Sequence, residues 1–529
     1  MVNTTTIEVR RDYLSISFVA IAILISYYCF KSISHPIHDF ANYYFAGKFF
    51  VEGSFDQTIY DPTTFNLKLS EQGYQGFFVN FSPNSPFIAL FFFPLASLDI
   101  QLAKLLFNFL NGFFFLFSFV RIVRFLKIQN EVSLLLIPFI CFIPIRNGIL
   151  FGQFYMLLFS MIIEGYILYK KDKIASAMLL WVISASLKMT PGIVLFYLLG
   201  RRDYRAIGIF CIWGSVSLCL TGLLLDFDIF RFYLEQISPK VSAGEIVSAG
   251  FLANQSPLML FKHLFIADSS ENPSPLIESD ILFASFMAAT FIVAFYWTFY
   301  SSGNRKGDED FKMLGLWLLL IFLISPYGSS YSRILLVIVY FSIVQNERLL
   351  KQIVVGLLLL GITNFPALDL SHWPLALRFA GLFATIAVFL LVTPVKVIRA
   401  NHLIPLTLLL TTFIYYFYRI PKERQTASDY LMLKNPSLIV DYEVQDGAIR
   451  YDYWHGEMHE GIVALPGKRY DSSQVRIIGD GLYLRGEQLI KSSDNKKNPI
   501  LVDNDKVVYL SDWGRGYGFY TFRIIRLDK

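Results

Sequence analysis

Residues 10–39 read RRDYLSISFVAIAILISYYCFKSISHPIHD, and this stretch decides the fold. Two arginines precede an apolar run from Tyr13 to Phe30, and a polar segment ending in His35, His38 and Asp39 follows it. A helix of roughly 20 residues crosses a hydrocarbon core of about 30 Å, so the run is long enough to span a bilayer. It resembles a signal peptide in its charge and apolar core. No small-residue cleavage site follows, however, and many similar runs come later, so it is read as an uncleaved first helix.

The same alternation continues along the chain. Of 529 residues, 55% are hydrophobic and 17% aromatic. The mean hydropathy is +0.50, where a soluble domain of this length would be far more polar. The 52 Phe read as lipid-facing and core packing, while Tyr and Trp suit the headgroup region. A net charge of +5 is too small for a nucleic-acid surface and fits a positive-inside bias. Cys29, Cys141, Cys211 and Cys219 lie in apolar runs, and no cysteine follows. The C-terminal part therefore has no disulfide, and no CxxC metal spacing exists.

Lysine and arginine in the short loops set the expected orientation. Arg10 and Arg11 put the N-terminus in the cytoplasm, and residues 32–83 form a polar outer loop. Residues 84–98 are apolar but short and read as an interfacial helix. Spans over 101–121, 132–147 and 150–169 follow, with Arg121, Arg124 and Lys127, then Lys170, Lys171 and Lys173, on the inner side. Residues 174–200 lie between two basic clusters, the second being Arg201, Arg202 and Arg205. Both ends are then cytoplasmic, and Pro191 breaks the stretch just after Lys188. This predicts two short helices that dip in and return, their broken backbone satisfied by protein or by a water-filled cavity. Span 206–225 exits, and a second outer loop covers 226–280. Spans at 281–300, 313–328, 332–345, 353–368, 374–392 and 403–418 complete the set. The expected fold class is an all-α polytopic membrane protein with about 11–13 transmembrane helices.

From Pro421 the composition shifts. Residues 437–529 alternate polar with β-branched and aromatic residues, as in Gln474–Val475–Arg476–Ile477–Ile478, with Gly479–Asp480–Gly481 and Asp503–Asn504 as turns. This predicts a small β-rich extracytoplasmic domain at 421–529 beside a transmembrane domain at 1–420.

Several residues invite chemistry. Asp39 lies just past the first helix, at the membrane surface, where a carboxylate can draw the proton from an attacking hydroxyl. The same residue can instead cap the helical stretch from Phe40 to Phe50. His35 and His38 read as interfacial polar residues and not as metal ligands. Tyr60–Asp61–Pro62 and Phe81–Ser82–Pro83 read as turns, with stacking on a sugar ring as the sharper alternative, and Asp56 and Asp61 are spare carboxylates. Gly152–Gln153 opens the fourth span just after Arg146–Asn147, where the Arg can pair with a phosphate. Lys188 ends an apolar stretch. An ionisable residue at such depth marks a functional site by default, although Lys can also snorkel to the cytoplasmic face. Asn254–Gln255–Ser256–Pro257 lies in the second outer loop. Ser325–Pro326–Tyr327, with Tyr331 and Arg333, lies at an outer hairpin end, where Arg333 runs against the charge bias and calls for an anionic partner. There is no Walker A loop, no GxSxG elbow, no HExxH and no soluble nucleotide-binding domain.

Four pieces occur in order: Asp39–Phe40–xx–Tyr43–Tyr44, Gly152–Gln153, Leu187–Lys188–xx–Pro191 before Arg201–Arg202, and Asn254–Gln255–Ser256. Leu323–Ile324–Ser325–Pro326 is a fifth, partial match. Together they resemble glycosyltransferase family 87, a branch of the polytopic GT-C superfamily that includes polyprenol-phosphate-dependent mannosyl- and arabinofuranosyltransferases. The resemblance implies a polyprenyl-phosphate–sugar donor, an acceptor hydroxyl on a lipid or glycan, and inversion at the anomeric carbon. Asp39 would be the general base, and Tyr43, Tyr44, Gln153, Lys188, Asn254, Gln255, Tyr331 and Arg333 would bind substrate, with Lys188 and Arg333 countering the phosphate charge. No metal or cofactor is called for, because the donor phosphate is already a good leaving group. The implied setting is cell-envelope glycan biosynthesis at a bacterial inner membrane, with the site and the C-terminal domain on the periplasmic side. Where the family often carries Trp and His after Ser325–Pro326, this sequence reads Tyr327–Gly328–Ser329–Ser330–Tyr331–Ser332, so acceptor identity does not carry over. Three rivals stand beside this reading, one of them a purely structural or scaffold role, which leaves Lys188 unexplained. A flippase of lipid-linked sugars would not need a base, and a glycan polymerase or ligase usually relies on Arg and His in a late outer loop.

Overall fold

The structure is a computed structural model. It describes residues 12–37, 39–74, 79–242, 255–266, 275–302, 309–325, 328–365, 374–393, 439–445, 448–454, 458–464, 469–478, 481–491, 496–511 and 521–527. The first helix, α1 (Tyr13–Lys31), starts where the Asp12 carboxylate accepts the Ser15 N–H. A single 3-10 turn leads into α2 (Phe40–Val51). A layer of short helices follows, α3 (Pro62–Glu71) and α4 (Phe87–Phe92), the latter lying in the apolar stretch expected at the interface. α2 crosses α4 so closely that a Cβ on Gly47 would sit 2.8 Å from the Phe92 backbone.

The bundle begins with α5 (Ile100–Phe125), whose first N–H groups bond the Asp99 carboxylate, and α6 (Ile137–Phe151). It continues through α7 (Tyr155–Lys170), α8 (Ile174–Leu187), α9 (Val194–Arg201) and α10 (Tyr204–Leu225). Three shorter helices, α11 (Phe227–Phe232), α12 (Ser238–Ser242) and α13 (Pro257–Phe265), precede α14 (Asp280–Ser302) and α15 (Asp310–Ile324). The last described helices are α16 (Leu336–Asn346), α17 (Leu349–Thr363), α18 (Leu375–Arg378) and α19 (Ala380–Val392). The span expected over 403–418 lies outside the described residues.

Among the described residues five segments are long and apolar enough to cross a membrane: Tyr13–Ser34, Ile100–Phe125, Val132–Phe151, Tyr204–Leu225 and Asp280–Ser301. α10 turns Ile212, Val216, Leu220 and Leu223 outward, and α5 does the same with Phe109, Phe113 and Phe117. Continuous apolar faces of this kind belong against lipid tails. The chain is a multi-pass membrane protein.

The stretch between the two basic clusters is broken as its sequence predicts. α8 ends at Leu187, Lys188 takes an extended backbone, and Pro191 lies in the first two positions of a 3-10 turn (Thr190–Ile193) before α9, where its missing N–H costs no helical bond. α8 lies along α7, and α9 returns to the end of the bundle from which α8 started. That end is held by Asp310, which is 1% exposed and accepts from Lys170 at 3.1 Å, from the Tyr197 hydroxyl at 3.0 Å, and from Arg201. One carboxylate thus joins the ends of α7 and α9 to the start of α15, leaving the break at Lys188 at the opposite end.

The C-terminal part is β-structured, in three antiparallel sheets. β1 (Ile439–Gln445), β2 (Ala448–Trp454) and β3 (Met458–Ala464) form one in that order. β4 (Tyr470–Asp471), β5 (Val475–Ile478), β6 (Gly481–Leu484), β7 (Glu487–Lys491), β8 (Lys496–Val502), β9 (Lys506–Ser511) and β10 (Thr521–Arg526) form the others, in the orders β10-β9-β8-β4 and β5-β6-β7. Asp503 and Asn504 adopt left-handed backbone (φ +49° and +61°) and turn β8 into β9, as short polar side chains can. The turn expected at 479–480 lies outside the described residues, though β5 and β6 on either side pair Ile478 with Gly481.

Asp310→Ala is expected to reduce stability by about 2–3 kcal/mol. This is less than for a fully enclosed pair, because the side chains of Lys170 and Arg201 keep 30% and 22% exposure. A lower Tm of the detergent-solubilised protein, by circular dichroism, checks it; an unchanged Tm would show that Asp310 does not hold the bundle end.

Candidate active site

Three segments distant in sequence meet at the end opposite Asp310: the head of α2, the turn from α6 to α7, and the break after α8. Asp39 stands at the N-terminal position of α2 with helical backbone (φ −59°, ψ −23°), and no helix N–H bonds its side chain. The capping role open to it on sequence is therefore not the one its carboxylate takes. Its Oδ2 accepts from Gln153 Nε2 at 2.7 Å. The other end of the same amide, Oε1, accepts the Tyr43 hydroxyl at 2.8 Å. Tyr43, one turn along α2 from Asp39, is buried between the rings of Phe92 and Phe154, with centroids at 5.1 and 4.9 Å.

Gly152 is what lets Gln153 reach this position. It ends α6 in the left-handed region (φ +70°, ψ +39°), and a Cβ there would lie 2.5 Å from the Phe40 Cβ. Backbone and space each demand glycine. A polar stripe on α5 closes the turn from behind: Lys104 Nζ donates to the Pro36 carbonyl (2.9 Å), Asn108 to the Ile149 carbonyl (3.0 Å), and Asn111 to the Gln153 carbonyl (2.7 Å). Spacings of four and three residues put all three on one helical face.

Lys188 arrives from the broken pair. Its Nζ donates to Asn84 Oδ1 at 2.9 Å and lies 5.7 Å from the Phe154 ring centre. It points into the Asp39 site, away from the Asp310 end, so it does not snorkel toward the basic loops. Asn84 sits in the Ser82–Pro83–Asn84–Ser85–Pro86 run, and Ser85 Oγ donates to the Ser186 carbonyl beside Lys188. A late loop completes the wall. The Tyr331 ring lies 5.4 Å from Tyr155 and 6.3 Å from Phe151, and Asn147 donates to Ser330 Oγ at 2.7 Å.

Asp39 lies in the loop between α1 and α2. Burial pushes its carboxyl above the usual carboxylate range; the Gln153 N–H and then the Lys188 and Lys104 cations pull the other way without cancelling it. A carboxylate so placed is a stronger base than one in water and is countered by nearby cations.

Other expected site residues stand elsewhere. Tyr44 donates to the Leu98 carbonyl at 2.7 Å. The Gln255 amide is tied to the Arg378 carbonyl (2.9 Å) and the Leu382 N–H (3.3 Å), which fixes the start of α13 to α19. The Arg333 guanidinium is buried and donates to the carbonyls of Ile362 (2.6 Å) and Gly328 (3.2 Å); Ile362 belongs to the last turn of α17, where carbonyls lack helical partners. Arg146 is exposed. Asn254 and His38 lie outside the described residues, and His35 stacks on Phe151. Tyr60 is fully buried against Phe81 and Tyr233, a core position and not a sugar platform. No group of three His, Cys, Asp or Glu suited to a metal occurs among the described residues.

Lys104, Asn108, Asn111, Asn84 and Tyr155 were not anticipated. The α5 stripe did leave a signal, since three polar residues recur at helical spacing inside a Phe-rich span.

Residues 83–326 match the family model described as glycosyltransferase family 87, and that stretch is a glycosyltransferase family 87 domain. The match takes in Asn84, Gln153, Lys188 and Gln255, while Asp39 precedes it. The family indicates glycosyltransferase activity. No curated protein matches the chain.

Gly152→Ala is expected to cost about 2 kcal/mol or more through backbone strain and the collision with Phe40. It should also abolish sugar transfer more completely than the loss of Tm alone explains. A variant with normal Tm and normal transfer would show that the turn does not position Gln153.

Proposed function

We propose that the protein transfers a hexosyl or pentosyl unit from a polyprenyl-phosphate–sugar to a hydroxyl of a lipid or glycan acceptor, with inversion. The observation that carries this reading is the Asp39–Gln153 bond, with Lys188 near enough for its charge to act on the same carboxylate. Asp39 takes the acceptor proton as the oxygen attacks the anomeric carbon from the face opposite the phosphate. The bond from that carbon to the phosphate oxygen breaks, and polyprenyl phosphate leaves with its new charge countered by Lys188. Gln153 and Tyr43 keep the carboxylate aimed. Tyr155 and Tyr331 offer ring faces to a sugar. In this reading the transmembrane glycosyltransferase domain is 1–420, the β-rich domain is 421–529, and both it and the site lie on the periplasmic face of a bacterial inner membrane.

The test uses purified protein, a radiolabelled polyprenyl-phosphate sugar, and a crude lipid and glycan extract as acceptor. Asp39→Asn is expected to keep its Tm and to lower transfer by about 10²–10⁴-fold. Normal transfer by the variant removes Asp39 as the base. If the wild type moves labelled lipid across proteoliposomes without forming product, the flippase reading replaces this one.

The pH dependence follows from the same group. A base works ionised, so kcat/KM rises as pH rises through the Asp39 pKa. Burial raises that pKa, so the acid limb is expected above the ordinary carboxylate value of about 3.9. Gln153→Ala removes a bond that favours the charged form, and the limb should move to still higher pH. An unshifted limb would show that the amide does not act on the titrating group.

A further inference from the structure

Among the described residues, an ion pair joins the β-rich domain to the first loop. Lys497 of β8 binds both carboxylate oxygens of Asp61, and each side chain is 20% exposed. Asp61 also heads α3, where its Oδ2 accepts the Thr64 N–H and hydroxyl, so it is held from its own helix as well. Lys497 is aimed there by an irregularity in its own strand. Pairing of β8 with β9 slips between Lys497 and Ile500, and Asn498 takes left-handed backbone (φ +46°). That bulge is held by Tyr442, which donates to the Asn498 carbonyl, and by Asn498 Nδ2, which donates to Asp441 at 2.7 Å. A bulge that redirects one side chain, held from two sides, is a built feature.

The residue before Asp61 continues the line. The buried Tyr60 donates its hydroxyl to the Asn84 carbonyl at 3.1 Å, and the side chain of the same Asn84 receives Lys188. We infer that Lys497 is a positioning residue for Lys188: the β-rich domain clamps the first loop through Asp61, and Tyr60 and Asn84 pass that fixed position to the lysine. This rests on the reading of Lys188 as the cation that meets the donor phosphate. It makes the C-terminal domain part of the transferase site.

The test is equilibrium binding of radiolabelled polyprenyl monophosphate to the full chain in detergent, for wild type, Lys188→Met, Lys497→Met, Lys497→Arg and the double methionine variant, with Tm measured on each. Lys188→Met is expected to bind about tenfold more weakly and Lys497→Met about three- to fivefold, in keeping with a partly enclosed charge pair. Lys497→Arg should bind nearly as wild type, and the double variant no more weakly than Lys188→Met alone. Multiplied losses in the double variant, or wild-type binding by Lys497→Met while Lys188→Met is weak, overturn the inference and leave the Lys188 reading standing. Wild-type binding by Lys188→Met removes that reading, and the inference with it. Should Lys497→Met not fold, Asp61→Asn takes its place, since it removes the charge and keeps an acceptor for Thr64.

Discussion

A carboxamide has one accepting end and one donating end, and the site depends on Gln153 using both. Its oxygen takes the Tyr43 hydroxyl and its nitrogen gives to Asp39. Because an amide is planar, fixing one end fixes the other, so the buried tyrosine sets the direction of the carboxylate through Gln153. The bond satisfies the acid without neutralising it, and burial then raises its basicity. The surrounding devices serve that one bond. Gly152 supplies the left-handed turn, Asn111 takes the Gln153 carbonyl, and Lys104 holds the Pro36 carbonyl three residues before Asp39.

Membrane interiors tolerate broken helices only where the freed backbone groups find partners. Both breaks here meet that demand with protein groups. Asn108 takes the Ile149 carbonyl near the end of α6, and Ser85 takes the Ser186 carbonyl near the end of α8. The two breaks carry Gln153 and Lys188, so structural and chemical demands coincide at the same segments.

Helix positions were legible because hydropathy and basic loops report directly on a bilayer. The broken pair was legible because Lys170 and Lys171 before it and Arg201 and Arg202 after it put both ends on one side, which a single straight helix cannot do, and Pro191 lies between them. Asp39 stood out by its place after the first helix. What the sequence did not convey was which partner each polar side chain takes. Arg333 calls for an anion on charge alone, yet its described bonds run to carbonyls at a helix end and a loop. Tyr44 shares a motif with Tyr43, but successive residues on a helix point about 100° apart, and Tyr44 reaches the Leu98 carbonyl instead. The Lys497–Asp61 contact joins residues 436 positions apart, and neither neighbourhood hints at the other.

The length of α8 has a consequence for where chemistry takes place. Its 14 residues rise only about 21 Å, against about 33 Å for the 22 residues of its neighbour α10 and a hydrocarbon core of about 30 Å. A helix of that length starting at one headgroup plane ends short of the other, and Lys188 directly follows its last residue. Under the proposed reading, a lipid-borne phosphate would have to sink below the headgroup plane to meet Lys188, whereas a water-soluble phosphate ester has no tail to draw it down. Depth itself then becomes a filter on substrates, set by the number of turns in one helix.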